Sequence, residues 1–211
     1  MLTQRIYNKL VDRTAWAASI VIRQFVIDGL RMFAGKVQWH AARRHFKSVG
    51  QGSWIEAPFH VQNARNVTLG SNFSARSHFV LESIEEYQGE HFTPRVVIGD
   101  NVSFYYDCHV GCINCIEIGN NVLFGSKVYI TDHFHGDTSG QDIDRPPVMR
   151  TLTSKGPVII ENNVWIGEGV AIMPNVTIGE NAIIGANSVV TKNIPRNCVA
   201  AGIPAVVIKQ L

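Results

Sequence analysis

The chain lacks an excess of charge of either sign. Nineteen Lys and Arg nearly balance 17 Asp and Glu, for a net charge of +2 over 211 residues. There is no basic stripe with interleaved aromatics, so nucleic acid is not an expected partner. Long apolar runs are missing too. The longest clean one, Thr14 to Ile22, stops at Arg23, short of the ~20 apolar residues a spanning helix needs. No small-residue cleavage site follows a compact apolar core, so a secretory leader is not expected. With only four cysteines, free thiols in a reducing compartment are the expectation, in the cytoplasm or at the inner face of a membrane. Three of them, Cys108, Cys112 and Cys115, crowd into CHVGCINC. Without a second knuckle of paired ligands they read as small apolar core residues, not as zinc ligands. No Cys or Ser stands in a recognisable nucleophile setting.

What the chain does have is a six-residue period. From Val158 to Asn193 it reads VIIENN, VWIGEG, VAIMPN, VTIGEN, AIIGAN, SVVTKN. Ile160, Ile166, Ile172, Ile178, Ile184 and Val190 form one aliphatic column, and Val158, Val164, Val170, Val176, Ala182 and Ser188 a second. The sixth place holds Asn163, Gly169, Asn175, Asn181, Asn187 and Asn193, residue types that accept tight corners. A helical period of 3.6 does not fit, and six-residue repeats signal a parallel β-helix. The period extends back through Ile118, Phe124 and Ile130, through Ile98, Phe104 and Val110, and through Leu69, Ala75 and Leu81. It breaks near Cys112 to Cys115, over the charged stretch Glu82 to Arg95, and over residues 131–157. That last excursion is rich in Asp, Gly, Pro and Ser, and a long loop inside a repeat domain is expected to be functional.

Residues 1–50 differ in texture. Leu10, Ala17, Val21, Phe25, Leu30 and Phe33 are set among charges without a proline, which predicts one or two amphipathic helices over about Gln4 to Phe33. The domain division expected is thus a helical segment, 1–50, and a β-helix, 51–211. Two roles stay open for the helices. They could cap the open first coil, or lie on a membrane surface with Arg13, Arg23 and Arg31 toward the headgroups.

The run NNVWIGEGVAIMPNVTIGENAIIGANSVVTKNIPRNCVAAGIPAVVIK, residues 162–209, resembles the closing section of the hexapeptide-repeat acyltransferases. The likeness is to the branch holding galactoside and maltose O-acetyltransferases and those of lipopolysaccharide and capsule biosynthesis. TDHFHGD, residues 131–137, resembles the polysaccharide group. The resemblance implies a left-handed β-helix, a homotrimer, and acetyl-CoA bound as acyl donor between subunits. It also implies a sugar or polysaccharide-precursor acceptor and no metal.

Acetyl transfer to a hydroxyl needs a base for the hydroxyl proton and donors for the oxyanion. Histidine suits the first, which makes His133 and His135 the candidates. Ungapped counting from the preceding coil, with Gly and a turn following, matches His135 to the family's base and makes it the favoured residue, whereas the local pattern Thr, any residue, His would select His133. By resemblance, Trp165, Gly167, Ala186, Thr191, Lys192 and Lys209 are the coenzyme positions. Val206 stands where relatives carry a basic residue, so one phosphate contact is expected to be absent or supplied elsewhere. Tyr105 stands where sugar acetyltransferases place an acceptor-holding Asn, with Asp107 nearby. A rival on the same scaffold is a γ-type carbonic anhydrase using His109, His133 and His135 around a metal. An amine or antibiotic acceptor is a further alternative.

Overall fold

A computed structural model describes residues 2–21, 24–136, 139–140 and 142–211. By compactness the chain forms two units, residues 1–38 and 39–211. The first holds helix α1, Leu2–Val21, and most of helix α2, Gln24–Ala42. The second helix runs nine residues past the expected end at Phe33. Nothing stops it earlier, since the first proline of the chain is Pro58 and Val37 and Trp39 continue the apolar spacing. Its last turn belongs to the second unit, where Trp39 is buried edge-on to Phe46 at 5.9 Å and Phe59 at 6.4 Å. Arg23 lies outside the described residues.

The second unit is a parallel β-helix with three faces. One face runs from Ser48–Val49 through Val67–Leu69, Arg95–Ile98, Cys115–Ile118 and Val158–Ile160 to Thr177–Ile178. The next runs from Trp54–Ile55 through Ser74–Ala75, Ser103–Phe104, Leu123–Phe124 and Trp165–Ile166 to Ile183–Ile184. It ends in the antiparallel pair Cys198–Gly202 and Ala205–Gln210. The third face stacks Phe59–Gln62, Phe79–Ser83, His109–Cys112, Tyr129–Thr131, Ala171–Ile172 and Val189–Val190. Ile166 pairs in register with Ile184, and Ile172 with Val190. Three hexapeptides therefore make one turn, and every aliphatic column closes on itself inside.

All twelve residues of the two columns expected from Val158 to Val190 are buried. Ser188, the polar one, is satisfied in place: its hydroxyl donates to the Gly185 carbonyl at 2.6 Å and accepts the Gly202 N–H at 3.0 Å. The corners explain the asparagines. Asn72, Asn101, Asn121, Asn163 and Asn181 have φ of 56–59°, the left-handed region that Asn tolerates better than branched residues. Their side chains form ladders along the stack, Asn72 to Asn101 to Asn121 to Asn163 at 3.0–3.1 Å and Asn181 to Asn197 at 2.7 Å. Asn193 departs from the expected column. It has no positive φ, and its Oδ1 accepts the Thr177 N–H at 2.8 Å instead.

In the earlier coils the core is filled by larger side chains. Phe104 and Phe124 stack face to face at 4.0 Å, with Phe73 and Phe79 around them, all essentially inaccessible. Phe124→Ala should cost about 3–5 kcal/mol of unfolding free energy, since a rigid stack cannot collapse onto the void. The half-buried, outward Ile183 should lose under about 1 kcal/mol on the same change. Urea midpoints of the two variants check this.

The interruptions carry structure of their own. The stretch Glu82 to Arg95 forms a hairpin, Glu86–Tyr87 against Glu90–His91. In the excursion 131–157, Phe134–His135 pairs antiparallel with Leu152–Thr153, followed backward by a 3-10 turn at Pro147–Met149. The Tyr87 hydroxyl and the Gln88 amide both donate to the Val148 carbonyl, at 2.9 and 3.0 Å, tying the two excursions together. Asp137, Thr138 and Gln141 of the excursion lie outside the described residues.

Candidate active site

The third face of the β-helix and the two tied excursions enclose a cleft of about 310 Å³, and both candidate histidines line it, with His109, Glu82, Tyr87 and Tyr129. Parallel stacking explains which side chains meet there. Gln62 is beside Glu82, Glu82 beside Gly111, and Gly111 beside Thr131, so one outward column leads to the start of the excursion. The missing side chain of Gly111 makes room. A Cβ there would stand 3.2 Å from Cε1 of His133, tighter than ordinary contact.

The two histidines have different surroundings. His133 is held on one side: its Nδ1 lies 3.1 Å from Oδ1 of Asp132 and 3.2 Å from the Thr131 hydroxyl. Thr131 also clamps the backbone, donating to the His133 carbonyl at 3.1 Å and accepting the His133 N–H at 3.2 Å. A carboxylate facing Nδ1 fixes the proton there and leaves Nε2 as the acceptor. Only 9% of the His133 side chain is accessible. His135 is exposed on the hairpin, edge-on to Tyr87 at 5.2 Å, with no hydrogen bond to any described residue.

Asp132 is fully buried and stays ionised by its contacts. Its Oδ1 accepts the Ile113 N–H at 2.9 Å, and its Oδ2 accepts the Asn114 and Cys115 N–H groups at 2.8 Å each and the Cys112 thiol at 3.2 Å. Burial alone would raise its pKa, but the bonds from His133, Ile113, Asn114 and Cys112 outweigh it and hold the carboxyl below the ordinary range. The small break near Cys112 to Cys115 thus has a purpose, because it turns three backbone N–H groups onto one carboxylate. Neither Asp132 nor this nest had a signal in the sequence beyond that irregularity in the repeat.

The cysteines here are structural. Cys108, Cys112 and Cys198 are buried and Cys115 is half-buried, all as free thiols. Burial pushes the Cys108 thiol up to about 11 and raises Cys112 further, with Asp132 adding to it. Among the described residues no three His, Cys, Asp or Glu side chains are grouped as metal ligands. His109, the third histidine of the metal alternative, is engaged by Glu82, whose Oε2 lies 2.9 Å from its Nε2.

The other expected site residues lie elsewhere on the stack. Tyr105 and Asp107 are exposed at a corner before the His109 strand, outside the lining of the His133 cleft. Asp107 sits at φ 60° and faces His78 at 3.6 Å. Trp165 is half exposed on the second face, between Leu123 and Ile183 of adjacent rungs. Gly167 is demanded by the stack itself, as a Cβ would meet the Ala186 backbone nitrogen at 2.6 Å. Ala186, Thr191, Lys192 and Lys209 are exposed, and neither lysine ammonium forms an ion pair or hydrogen bond with a described residue. The cleft-lining residues that sequence reasoning missed are Glu82, Glu86 and Tyr87, which lie on or beside a break in the repeat and carry no motif.

Residues 157–192 match the family described as bacterial transferase hexapeptide (six repeats). The chain is 38% identical over 160 residues to WbbJ of Escherichia coli K12, whose name assigns it to lipopolysaccharide biosynthesis as an O-acetyl transferase. That match covers 74% of this chain and 78% of WbbJ. It is 36% identical over 171 residues to the galactoside O-acetyltransferase of the same organism, covering 79% of this chain but 64% of that protein. Among solved structures, the maltose O-acetyltransferase of Clostridium difficile 630 superposes with a TM-score of 0.54 at 34% identity, covering 80% of this chain and 72% of that one. The fold is thus the left-handed β-helix of acyltransferases, and the protein is an enzyme of the acyl-transfer class. The chain belongs to the bacterial hexapeptide-repeat transferase family.

Proposed function

We propose that the protein is an acetyl-CoA-dependent O-acetyltransferase acting on a sugar hydroxyl of a surface polysaccharide or its precursor, with His133 as general base. The Asp132–His133 pair carries the reading. A buried carboxylate below its ordinary pKa holds the Nδ1 proton, so that Nε2 can take the proton of an acceptor hydroxyl lying in the cleft. The sequence favours His135 by counting, but these surroundings favour His133 on chemistry, because an oriented base is already matched to its proton. His135, exposed and edge-on to Tyr87, suits a wall of the acceptor pocket. Glu82, Glu86 and Tyr87 line the cleft and offer acceptors and a hydroxyl of the kind that bind sugar hydroxyl groups.

Bound acetyl-CoA would supply the thioester carbonyl that the hydroxyl oxygen attacks; the carbon–sulfur bond then breaks, and coenzyme A leaves as the thiol with the proton that His133 took. The small, exposed Ala186 leaves backbone open one rung from Trp165, and Lys192 and Lys209, whose ammonium groups pair with no described residue, suit phosphate oxygens. Backbone N–H groups along a coil edge would hold the oxyanion. The relatives' names support a sugar acceptor. A homotrimer whose neighbouring copies complete the donor site is part of the same proposal, as is a cytoplasmic location. The half-exposed apolar column Leu123 and Trp165 suits contact with a second copy.

Calorimetric titration with acetyl-CoA tests it, followed by a screen of sugars and glycan precursors for acetyl ester. Saturable binding at about one site per chain is expected from closed symmetry, with ester formed only on hydroxyl acceptors. Absence of binding, or amide formed on an amine in preference to ester, would overturn it.

A further inference from the structure

The near-neutral total charge hides a division along the chain. The first 47 residues hold nine Lys and Arg against two Asp and Glu, whereas the remainder holds ten against 15. The amino-terminal segment is therefore strongly cationic and the β-helix anionic. Within α2, Val26, Leu30, Phe33 and Val37 recur at the spacing of one helical face, and they are 40, 64, 68 and 53% exposed. In α1, Ile6, Leu10 and Trp16 are more than 60% exposed. Lys9, Arg13, Arg31, Lys36, Arg44 and Lys47 are exposed in the same segment. No described helix is long and apolar enough to cross a bilayer.

We infer that α1 and α2 dock the enzyme on an anionic lipid surface, lying in the plane of the interface. Aromatic and aliphatic side chains on helices with a cationic surround are what an interfacial helix needs. The apolar stripe enters the acyl boundary, and long basic side chains reach the headgroup phosphates. A protein partner could cover the apolar stripe equally well. The concentration of positive charge on this segment alone selects a negatively charged, laterally extended surface. This inference stands apart from the acetyl-transfer reading and would survive its failure.

Flotation of the full-length protein with vesicles tests it, using phosphatidylcholine alone and phosphatidylcholine with a third phosphatidylglycerol. Binding to the anionic vesicles is expected, weakened in 0.5 M salt and at least about tenfold weaker on phosphatidylcholine alone. Lys36→Glu with Arg44→Glu should lower partitioning by about 25-fold or more, each basic residue near the surface being worth about fivefold. These two changes lie on exposed positions, so they leave the fold intact and keep the test valid if an apolar-stripe variant misfolds. Leu30→Asp with Phe33→Asp should abolish binding, the protein sedimenting as before in the absence of vesicles. Failure to float, equal binding to neutral vesicles, or indifference to the charge reversals would overturn the inference. A smaller assembly on Leu30→Asp with Phe33→Asp would do so as well, by making the stripe an interface between copies of the chain.

Discussion

His133→Ala should lower kcat by about 10²- to 10⁴-fold while leaving acetyl-CoA affinity nearly unchanged. The loss has that size because the base does one thing, removing the acceptor proton as the carbon–oxygen bond forms, and water in a narrow cleft replaces it poorly. His135→Ala should cost less than about tenfold, and in KM for the acceptor more than in kcat, as befits a pocket wall. The contrast follows from the surroundings of the two rings. One is clamped at Nδ1 by Asp132 and Thr131 and lies over Gly111, and the other, among the described residues, meets the edge of Tyr87. Steady-state kinetics on both variants, with acetyl-CoA binding measured separately, distinguishes them. A larger kcat loss at His135 would transfer the base to that residue. Equal loss of binding and turnover at His133 would make it structural.

The coil architecture was legible in the sequence because a β-helix is periodic. Each rung buries the same position, so Ile160 to Val190 announce their own neighbours, and the structure pairs them in that register. The corners were legible for the same reason, as only a few residue types accept φ near +60°, except that Asn193 uses its side chain and not its backbone. The site was legible only in part, because it is built from departures from the period. His133 and His135 stood out as histidines in a polar loop, but their ranking depended on Asp132, and one buried aspartate among many surface ones has no signature. Its burial is set by the nest of Ile113, Asn114 and Cys115 N–H groups one coil earlier. Only a coil-to-coil pairing shifted by the local insertion brings that nest to it. Likewise, counting back along the chain pointed to Tyr105, whereas the column that faces His133 runs sideways through Gly111 to Glu82.

Asp132→Asn should damage both stability and turnover, in a pattern that separates the two. An amide keeps the size of the carboxylate but turns one of its acceptors into a donor. If the NH₂ takes the place of Oδ2, the Asn114 and Cys115 N–H groups lose their acceptor together. If it takes the place of Oδ1, the Ile113 N–H is orphaned and His133 must switch its proton to Nε2. The second arrangement sacrifices fewer backbone bonds and abolishes the base, since Nε2 then carries a proton of its own. Orphaned donors and the loss of a charged acceptor in a buried nest should cost about 2–4 kcal/mol of stability. Turnover should fall by about 10²-fold or more through the wrong tautomer. The sign of the pH dependence follows from the direction of the Asp132 shift. Its carboxyl titrates lower in the folded chain than in the unfolded one. Its contribution is therefore full above the unfolded value near 4 and is lost as pH falls through the depressed folded value. The stability gap between wild type and Asp132→Asn should be widest near neutrality and close in acid, as read from urea midpoints between about pH 3 and pH 7. His133→Ala, which leaves the three backbone bonds in place but removes the largest of the contacts that lower the Asp132 carboxyl, should shrink that acid limb while losing comparable turnover. A constant gap across the pH range would mean that Asp132 contributes shape and not charge.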